Sequence, residues 1–115
     1  MEPIEVNAGG FYLRALRVDD RIDDTAATGE ILGLTPERAL ARIDEFTRGW
    51  AEETELSWAV CAQTDVTCLA IITYDVGRDD LTLAASPAHA EPDEEFAGPF
   101  AAIERFVVAT YRQDE

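Results

Sequence analysis

Residues 56–75 constrain the fold more than any other part of the chain. Two runs rich in β-branched and aromatic residues are separated here by three polar residues. This pattern is typical of an antiparallel β-hairpin. A turn at the centre of the polar segment would place Trp58 opposite Ile71 and Cys61 opposite Cys68. We therefore expect the remaining elements to pack against this hairpin.

The length and composition favour a single domain that covers residues 1–115. Of the 115 residues, 47% are hydrophobic, which is enough for one core. No apolar run approaches the roughly 20 residues that a membrane-spanning helix needs, so we expect no membrane partner. The first five residues lack the basic and apolar regions of a secretory signal. We expect a cytoplasmic protein.

The charge of the chain is strongly acidic. It has 24 acidic and 9 basic residues, all of the basic ones arginine, for a formal net charge of −15. This charge disfavours nonspecific binding to nucleic acid and to anionic lipid, so we expect no nucleic-acid partner. Two interpretations stay open. The acidic surface attracts a basic protein partner, or it reflects a GC-rich or salt-adapted genome and implies no partner.

The two cysteines do not form a metal-binding motif. Cys61 and Cys68 have neither a CxxC pair nor a histidine nearby. In a reducing cytosol we expect two thiols that pack as small hydrophobic side chains rather than a disulfide. The sequence therefore predicts no metal site.

Two more strands are expected beside the hairpin. The turn signal at Gly9-Gly10 ends whatever precedes it. Residues 11–18 then alternate as in a strand, with apolar residues on one face and Arg14 on the other. Residues 81–85 predict a third consecutive antiparallel strand after the hairpin. The hairpin then lies in the middle of the sheet.

Two amphipathic helices complete the expected elements. The first begins at Thr35-Pro36-Glu37, where a hydroxyl caps free amides, proline needs no N–H, and an acid favours the positive end of the dipole. Its expected buried positions are Leu40, Ile43, Phe46 or Thr47, and Trp50. The second begins at Gly98-Pro99. Its expected buried positions are Phe100, Ile103, Val107, and Thr110 or Tyr111. Residues 19–33 hold at most a short helix.

These elements predict an α+β fold of order β-α-β-β-β-α. It contains a mostly antiparallel sheet of about four strands with helices packed on it. Several of its segments resemble those of one known family. They are residues 12–17 followed by Asp19-Asp20, the helix from Thr35 to near Trp50, and the strands at 58–60 and 69–72. Together they resemble the N-terminal portion of the GNAT (N-acetyltransferase) superfamily over about residues 11–112. The resemblance implies a shortened and degenerate GNAT-like fold that lacks the C-terminal strands.

The resemblance also implies a place for acetyl-CoA. In the family this cofactor lies beside the fourth strand and at a glycine-rich loop that opens the next helix. The corresponding residues here are Leu83, Ala84, Ala85 and Gly98. Backbone amides at such a helix start bind a pyrophosphate, and glycine allows its close approach. In residues 89–99 only Gly98 fits the pattern, four acids replace basic and glycine positions, and Pro99 lacks an N–H. These acids would repel a pyrophosphate, so we expect no cofactor, and acetyl-CoA only if the chain is an enzyme.

No residue can be assigned a catalytic role. The C-terminal part of the family supplies a tyrosine that protonates the leaving thiolate, and Tyr111 lies on the wrong helix for that role. The single histidine, His89, has neither a positioned partner nor a nucleophile in view, so an exposed loop position is favoured over a general base. Ser86 lacks the Gly-x-Ser-x-Gly frame of a hydrolase nucleophile.

Two acidic clusters lack the spacing of a calcium-binding loop. One consists of Asp19, Asp20, Asp23 and Asp24, and the other of Glu91, Asp93, Glu94 and Glu95. A solvated surface is the simpler interpretation of both. If they bind anything, a docking face for an arginine- or lysine-rich partner is favoured over a metal site. The second cluster is the candidate partner-binding surface.

Three functions are compatible with these observations. The leading hypothesis is a non-catalytic GNAT-like binding or accessory protein, acidic and self-associating. The sheet edge left by the absent strands would pair with a second copy or another protein chain, and a homodimer is the default assembly. One alternative is an acetyl-CoA-dependent N-acetyltransferase completed by a second subunit. The other is an acidic inhibitor or immunity-type protein that masks a basic partner.

Overall fold

The chain forms an antiparallel sheet with helices on both faces. The computed structural model describes residues 1–112. Within them, the strands are β1 (Val6–Ala8), β2 (Phe11–Arg14), β3 (Glu55–Ala62), β4 (Cys68–Asp75) and β5 (Asp80–Ala85). The helices are α1 (Thr25–Leu32), α2 (Pro36–Glu52), α3 (Pro92–Glu95) and α4 (Ala97–Tyr111). The five strands lie side by side in chain order. The fold is α+β, as predicted.

The predicted hairpin is formed by β3 and β4. Cys61 lies opposite Cys68, as predicted, whereas Trp58 lies opposite Ile72 rather than Ile71. The difference arises because the register shifts by one residue just before Cys61. A β-bulge of this kind places one extra residue in one strand, so the pairing changes on one side of it only. Counting residues outward from the turn assumes one constant register.

Strand β1 is an addition to the predicted sheet. It pairs with β2 across the two-residue turn Gly9-Gly10, and Gly9 has a φ of 62°. A two-residue hairpin turn uses such left-handed backbone, which glycine adopts without strain. The double glycine therefore joins two strands, whereas we predicted that it ends the preceding segment. The sheet has five strands instead of about four.

Strand β2 ends at Arg14 and not at residue 18, because the backbone then turns toward Asp24. The N–H of Arg17 donates to the Asp24 carboxylate at 2.8 Å, and the N–H of Asp24 donates to the Arg17 carbonyl at 3.0 Å. These two hydrogen bonds close the loop that leads into α1. This helix lies within residues 19–33, where a short helix was expected.

The two faces of the sheet are covered by different helices. Trp58 and Ile72 pack in a cluster with Ile103 of α4. Ala59 and Ile71 belong to a second cluster with residues of α1 and α2. Successive residues of a strand point to opposite faces, so the hairpin contributes to both clusters. The hairpin is the centre of the fold, as predicted.

Helix α2 begins as predicted but buries a different stripe. The Thr35 hydroxyl accepts a hydrogen bond from the Arg38 N–H, and Pro36 is the first helical residue. Leu40 was expected in the core, yet it is 50% exposed. The buried positions are Ala39, Ile43, Phe46, Gly49 and Trp50. A stripe that begins at position 39 leaves position 40 about 100° away around the helix, on its outer flank.

Two tryptophans connect α2 to the sheet. The rings of Trp50 and Trp58 are buried and meet edge to face, with centroids 5.2 Å apart. Strand β2 pairs only with the second half of β3, so the first half has no strand on that side. There the Trp50 indole donates to the Ser57 carbonyl at 3.1 Å. The Trp58 indole donates to the carbonyl of Ile4 at 2.8 Å.

The C-terminal region contains two helices instead of the one predicted. Helix α3 precedes α4 directly, and Phe96 between them is fully buried. Helix α4 begins at Ala97, one residue before the predicted start, and buries Ile103 and Val107 as expected. The three acids in α3 favour this short helix because they lie in its first turn. None of the described helices combines the length and the apolar composition that crossing a bilayer requires.

Candidate functional site

Strand β5 leaves one edge of the sheet unpaired. It pairs with β4 from Ala70 opposite Ala85 to Asp75 opposite Asp80, and no strand of the described chain lies beyond it. Residues 81–85 make no backbone hydrogen bond to any turn or loop within residues 1–112. The outer N–H and C=O groups of β5 are therefore available to an added strand.

Beyond Asp80, neither charge nor proline blocks strand addition at the edge of β5, although α1 and α3 contact this strand. Beyond Asp80, its sequence contains no charged residue and no proline. It is also six residues long, whereas β1 at the opposite edge has only three. Short edge strands, proline and inward charges protect most natural sheet edges. This edge is open by that standard.

A groove of about 370 Å³ lies between β5 and α4. Its lining residues are Leu81, Leu83, Asp93, Ala97, Phe100, Ala101 and Glu104. Leu81 and Leu83 lie on the α4 face, because their register partners Tyr74 and Ile72 belong to the cluster under α4. Both leucines are only partly buried. The groove therefore joins an apolar floor to the unpaired edge.

The position of α4 explains why the groove exists. This helix buries Ile103 and Val107 over the middle of the sheet and also contacts β1 at the far edge. Strand β5 consequently lies at the margin of the layer that α4 covers. The side chains of β5 on this face are left half-buried.

Both charged residues that line the groove are acidic. Asp93 comes from α3 and Glu104 from α4, and both are exposed. Ala97 and Glu104 are two helical turns apart, which corresponds to about 10 Å along the axis. Glu104 therefore lines the groove two turns beyond the start of α4, and Asp93 lines it from α3.

The four residues that correspond to a cofactor site do not converge. Leu83 lines the groove, but Ala84 packs on the opposite face of the sheet. Ala85 packs in the cluster under α4. Gly98 is exposed, and a Cβ atom there would have no neighbour within 4 Å. The glycine-rich loop of the resemblance is replaced by α3, which leads directly into α4.

The four candidate partner-binding acids lie on and just before α3. Glu91 is the N-cap residue, and Asp93, Glu94 and Glu95 form the first turn. Only Asp93 of these lines the groove. The other three are exposed beside it.

His89 lies in the predicted loop but is not fully exposed. Its Nδ1 lies 2.8 Å from Oε1 of Glu95, and its ring packs edge-on against Phe96 with centroids 5.3 Å apart. These contacts leave its side chain 21% exposed. The ring packs on the start of α4 and does not line the groove.

A buried ion pair lies on the other face of the sheet. The guanidinium of Arg14 donates to both carboxylate oxygens of Asp24, at 2.8 and 2.9 Å, and both side chains are 3% exposed. Arg14 also donates to the carbonyls of Ala15 and Val66, at 3.0 and 2.6 Å. Burial alone would lower the pKa of Arg14, but the hydrogen bonds and charge of Asp24 raise it overall. Arg14 is therefore a fixed cation.

Sequence reasoning assigned Arg14 to the correct face but did not find its partner. Strand alternation separates Arg14 from Leu13, and this separation is observed. The available signal was an arginine at a strand end and an aspartate just before a helix. Ten residues separate the two, and only the packing of α1 brings them together.

The two cysteines are buried near this ion pair and are free thiols. Burial raises the pKa of both Cys61 and Cys68 above the ordinary thiol value. Since the thiolate is the nucleophile, neither side chain is reactive at neutral pH. Residues 1–112 also contain no group of three or more His, Cys, Asp or Glu side chains that could hold a metal ion.

Tyr111 is held at the end of α4 by Glu53. Its hydroxyl donates to Oε2 of Glu53 at 2.6 Å. Burial and this hydrogen bond raise the pKa of Tyr111 to about 12. It does not line the groove.

A second groove, with a volume of about 560 Å³, lies on the outer flank of α2. The exposed side chains of Leu40 and Val18 line it, together with Glu37 and Asp44. It is not adjoined by an unpaired strand.

Comparison with models of known protein families, with curated proteins and with solved structures finds no match to this chain.

Proposed function

We propose that this chain is a non-catalytic, GNAT-like binding or accessory protein that takes up an extended polypeptide segment along β5. The observation that carries the proposal is the unpaired edge of β5 beside the apolar groove formed with α4. An added strand gains backbone hydrogen bonds from the edge, while alternate side chains enter the groove. A second copy of this chain or a different protein would satisfy the same edge.

The order of the elements supports the GNAT-like part of the proposal. A strand is followed by two helices, then by three consecutive antiparallel strands and a closing helix. The order expected from the sequence, β-α-β-β-β-α, has one helix before the hairpin. The elements β1, α1 and α3 are additions to that order, and it shares with the structure the three consecutive antiparallel strands and the closing helix.

The charges of the groove support binding over acetyl transfer. Acetyl-CoA carries a pyrophosphate, and the charged side chains at the groove are the carboxylates of Asp93 and Glu104. Like charges at this range repel, and no lining residue is a cation that would offset them. An acetyl-CoA-dependent enzyme completed by a second subunit is therefore the weaker alternative. The other alternative is an acidic inhibitor or immunity-type protein that masks a basic partner. The net charge of −15 makes it the stronger of the two alternatives.

The proposal is tested by selecting random 12-residue peptides displayed on phage against the purified protein. We expect the selected peptides to bind the wild type and to lose binding to Leu83→Asp, which places a charge on the groove floor. The matched control is Thr82→Asp, which makes the same change on the opposite face of the same strand, at an exposed position. Circular dichroism confirms that both variants fold.

Two results would overturn the proposal. One is that no selected peptide distinguishes Leu83→Asp from Thr82→Asp. The other is micromolar binding of acetyl-CoA by calorimetric titration, which would favour the enzyme. Absence of heat even at millimolar acetyl-CoA removes the enzyme alternative for this chain alone.

A further inference from the structure

We infer that the segment taken up along β5 is a basic one, with an arginine or lysine on each side of an apolar residue at alternate positions. This inference rests on the proposed function, because it identifies the occupant of the same site. Its starting point is the pair of acidic residues, Asp93 and Glu104, that line an otherwise apolar groove.

The geometry of an added strand limits where its cations can lie. In a strand added to β5, every second residue faces α4, and such residues are about 6.6 Å apart. The first and third of three residues on that face are about 13 Å apart. Arginine and lysine side chains are long and flexible enough to reach from these positions to carboxylates that line the groove. The pattern that fits is therefore Arg/Lys-x-apolar-x-Arg/Lys.

The middle residue of this pattern meets the apolar floor. Leu83 and Leu81 form the sheet side of the groove, and Phe100 and Ala101 form the helix side. The groove has a volume of about 370 Å³, and three side chains of the added strand would share it. This space suits one valine or isoleucine between the aliphatic parts of two arginine or lysine side chains. A large aromatic residue would displace the flanking stems.

Charge argues against a second copy of this chain as the occupant. Each copy has a formal net charge of −15, and pairing two β5 edges would bring together two sets of Asp93 and Glu104. Within β5 itself, the charged residue is Asp80 and not a cation. A self-paired edge would therefore bring like charges together. A basic segment of another protein offsets them instead.

The inference is tested with three fluorescent heptapeptides on a threonine background. The first peptide has Arg, Val and Arg at positions two, four and six. The second peptide has threonine in place of both arginines. The third peptide has glutamate in place of both arginines. Binding is measured by fluorescence anisotropy. We expect only the first peptide to bind tightly, and its affinity to fall more than about tenfold between about 50 mM and about 500 mM sodium chloride.

A pair of charge-matched variants separates local from general attraction. Asp93→Asn/Glu104→Gln removes two charges at the groove, and Asp20→Asn/Glu30→Gln removes two exposed charges that do not line it. We expect the first double variant to bind the Arg-Val-Arg peptide about fivefold more weakly, because both carboxylates are exposed and screened. The second should bind it like the wild type. An equal loss in both double variants would overturn the inference.

The remaining outcomes distinguish the inference from the function it rests on. If the threonine peptide binds as tightly as the arginine peptide and Leu83→Asp abolishes both, the groove binds strands but the basic occupant is wrong. If sedimentation equilibrium shows a dimer that Leu83→Asp dissociates, the occupant is a second copy and the inference is also wrong. If no peptide binds and Leu83→Asp changes neither peptide binding nor the oligomeric state, the proposed function itself fails.

Discussion

Asp24 occupies the N-cap position of α1, yet its carboxylate does not cap that helix. It binds the guanidinium of Arg14 and the backbone N–H of Arg17 instead. Burying two opposite charges costs desolvation energy, which close hydrogen bonds offset only when geometry is good. Within this pair, the Nε of Arg14 is buried without a hydrogen-bond partner in the described chain. The pair thus fixes the loop after β2 without being a large net source of stability.

We predict that Asp24→Ala lowers the free energy of unfolding by about 3–5 kcal/mol, because it leaves Arg14 buried and uncompensated. Urea unfolding at neutral pH measures this change. Asp20→Asn, an exposed change in the same loop, serves as the control and should have little effect. The double variant Arg14→Met/Asp24→Leu should recover most of the loss. A loss below about 1 kcal/mol for Asp24→Ala would mean that Arg14 reaches water.

The junction between α2 and β3 depends on a glycine. Helix α2 ends in a left-handed residue, Glu53, and the N–H of Thr54 donates to the Gly49 carbonyl at 3.0 Å. This tight turn brings β3 back across the helix. A Cβ atom at Gly49 would lie 2.4 Å from the backbone carbonyl oxygen of Glu55. The close crossing therefore requires the absence of a side chain.

We predict that Gly49→Ala destabilises the protein by about 1–3 kcal/mol, despite the higher helix propensity of alanine, because the backbone of β3 must move. Thermal and urea unfolding measure the change. Gly98→Ala is the matched control, since it makes the same substitution within α4 where nothing lies within 4 Å. That control should be neutral or stabilising by up to about 1 kcal/mol. A stabilising effect of Gly49→Ala would show that the turn relaxes freely.

The two edges of the sheet differ as elements, and this difference locates the candidate site. Strand β1 is short and contacts α4, whereas β5 is longer and lies at the margin of the helical layer. The periodicity of residues 81–85 was sufficient to predict β5 as a strand. It did not predict the groove, because the groove depends on where α4 crosses the sheet.

At the scale of the whole molecule, hydrogen bonds hold several of the acidic side chains in place. The carboxylate of Asp19 accepts hydrogen bonds from the N–H groups of Ile22 and Arg21 and from Arg17. These lower the pKa of Asp19 from 3.8 to about 2. Hydrogen bonds also lower the pKa of Asp23, Asp65 and Asp79. The structure therefore uses several of its carboxylates as loop anchors while the remainder give the surface its charge.

We predict that the stability conferred by Asp19 depends on pH with a definite sign. Because its pKa is lower in the folded protein, its contribution is fully present above about pH 4 and is lost as the pH falls toward about 2. The difference in unfolding free energy between the wild type and Asp19→Asn should therefore shrink over that interval. Urea unfolding between pH 6 and pH 2 measures it, with Asp20→Asn as the control. A difference that stays constant with pH would contradict the assignment.

The sequence by itself determined the elements whose signals are local. The hairpin of β3 and β4, the capped start of α2, the strand at 81–85 and the closing helix depend on periodicity and turn residues within a few positions of each other. Two residues named from the sequence line the groove: Leu83, which the resemblance implied as a cofactor-binding position, and Asp93, which belongs to the second acidic cluster.

Only the tertiary structure decided the features that depend on distant residues. The pairing of Arg14 with Asp24, the exposure of Leu40, the bulge before Cys61 and the pairing of β1 all require partners that lie far away or offset in register. The separation of Ala84 and Gly98 from the groove has the same origin. Periodicity shows that a residue lies on a face, but whether that face is covered depends on which helix packs there and where it ends.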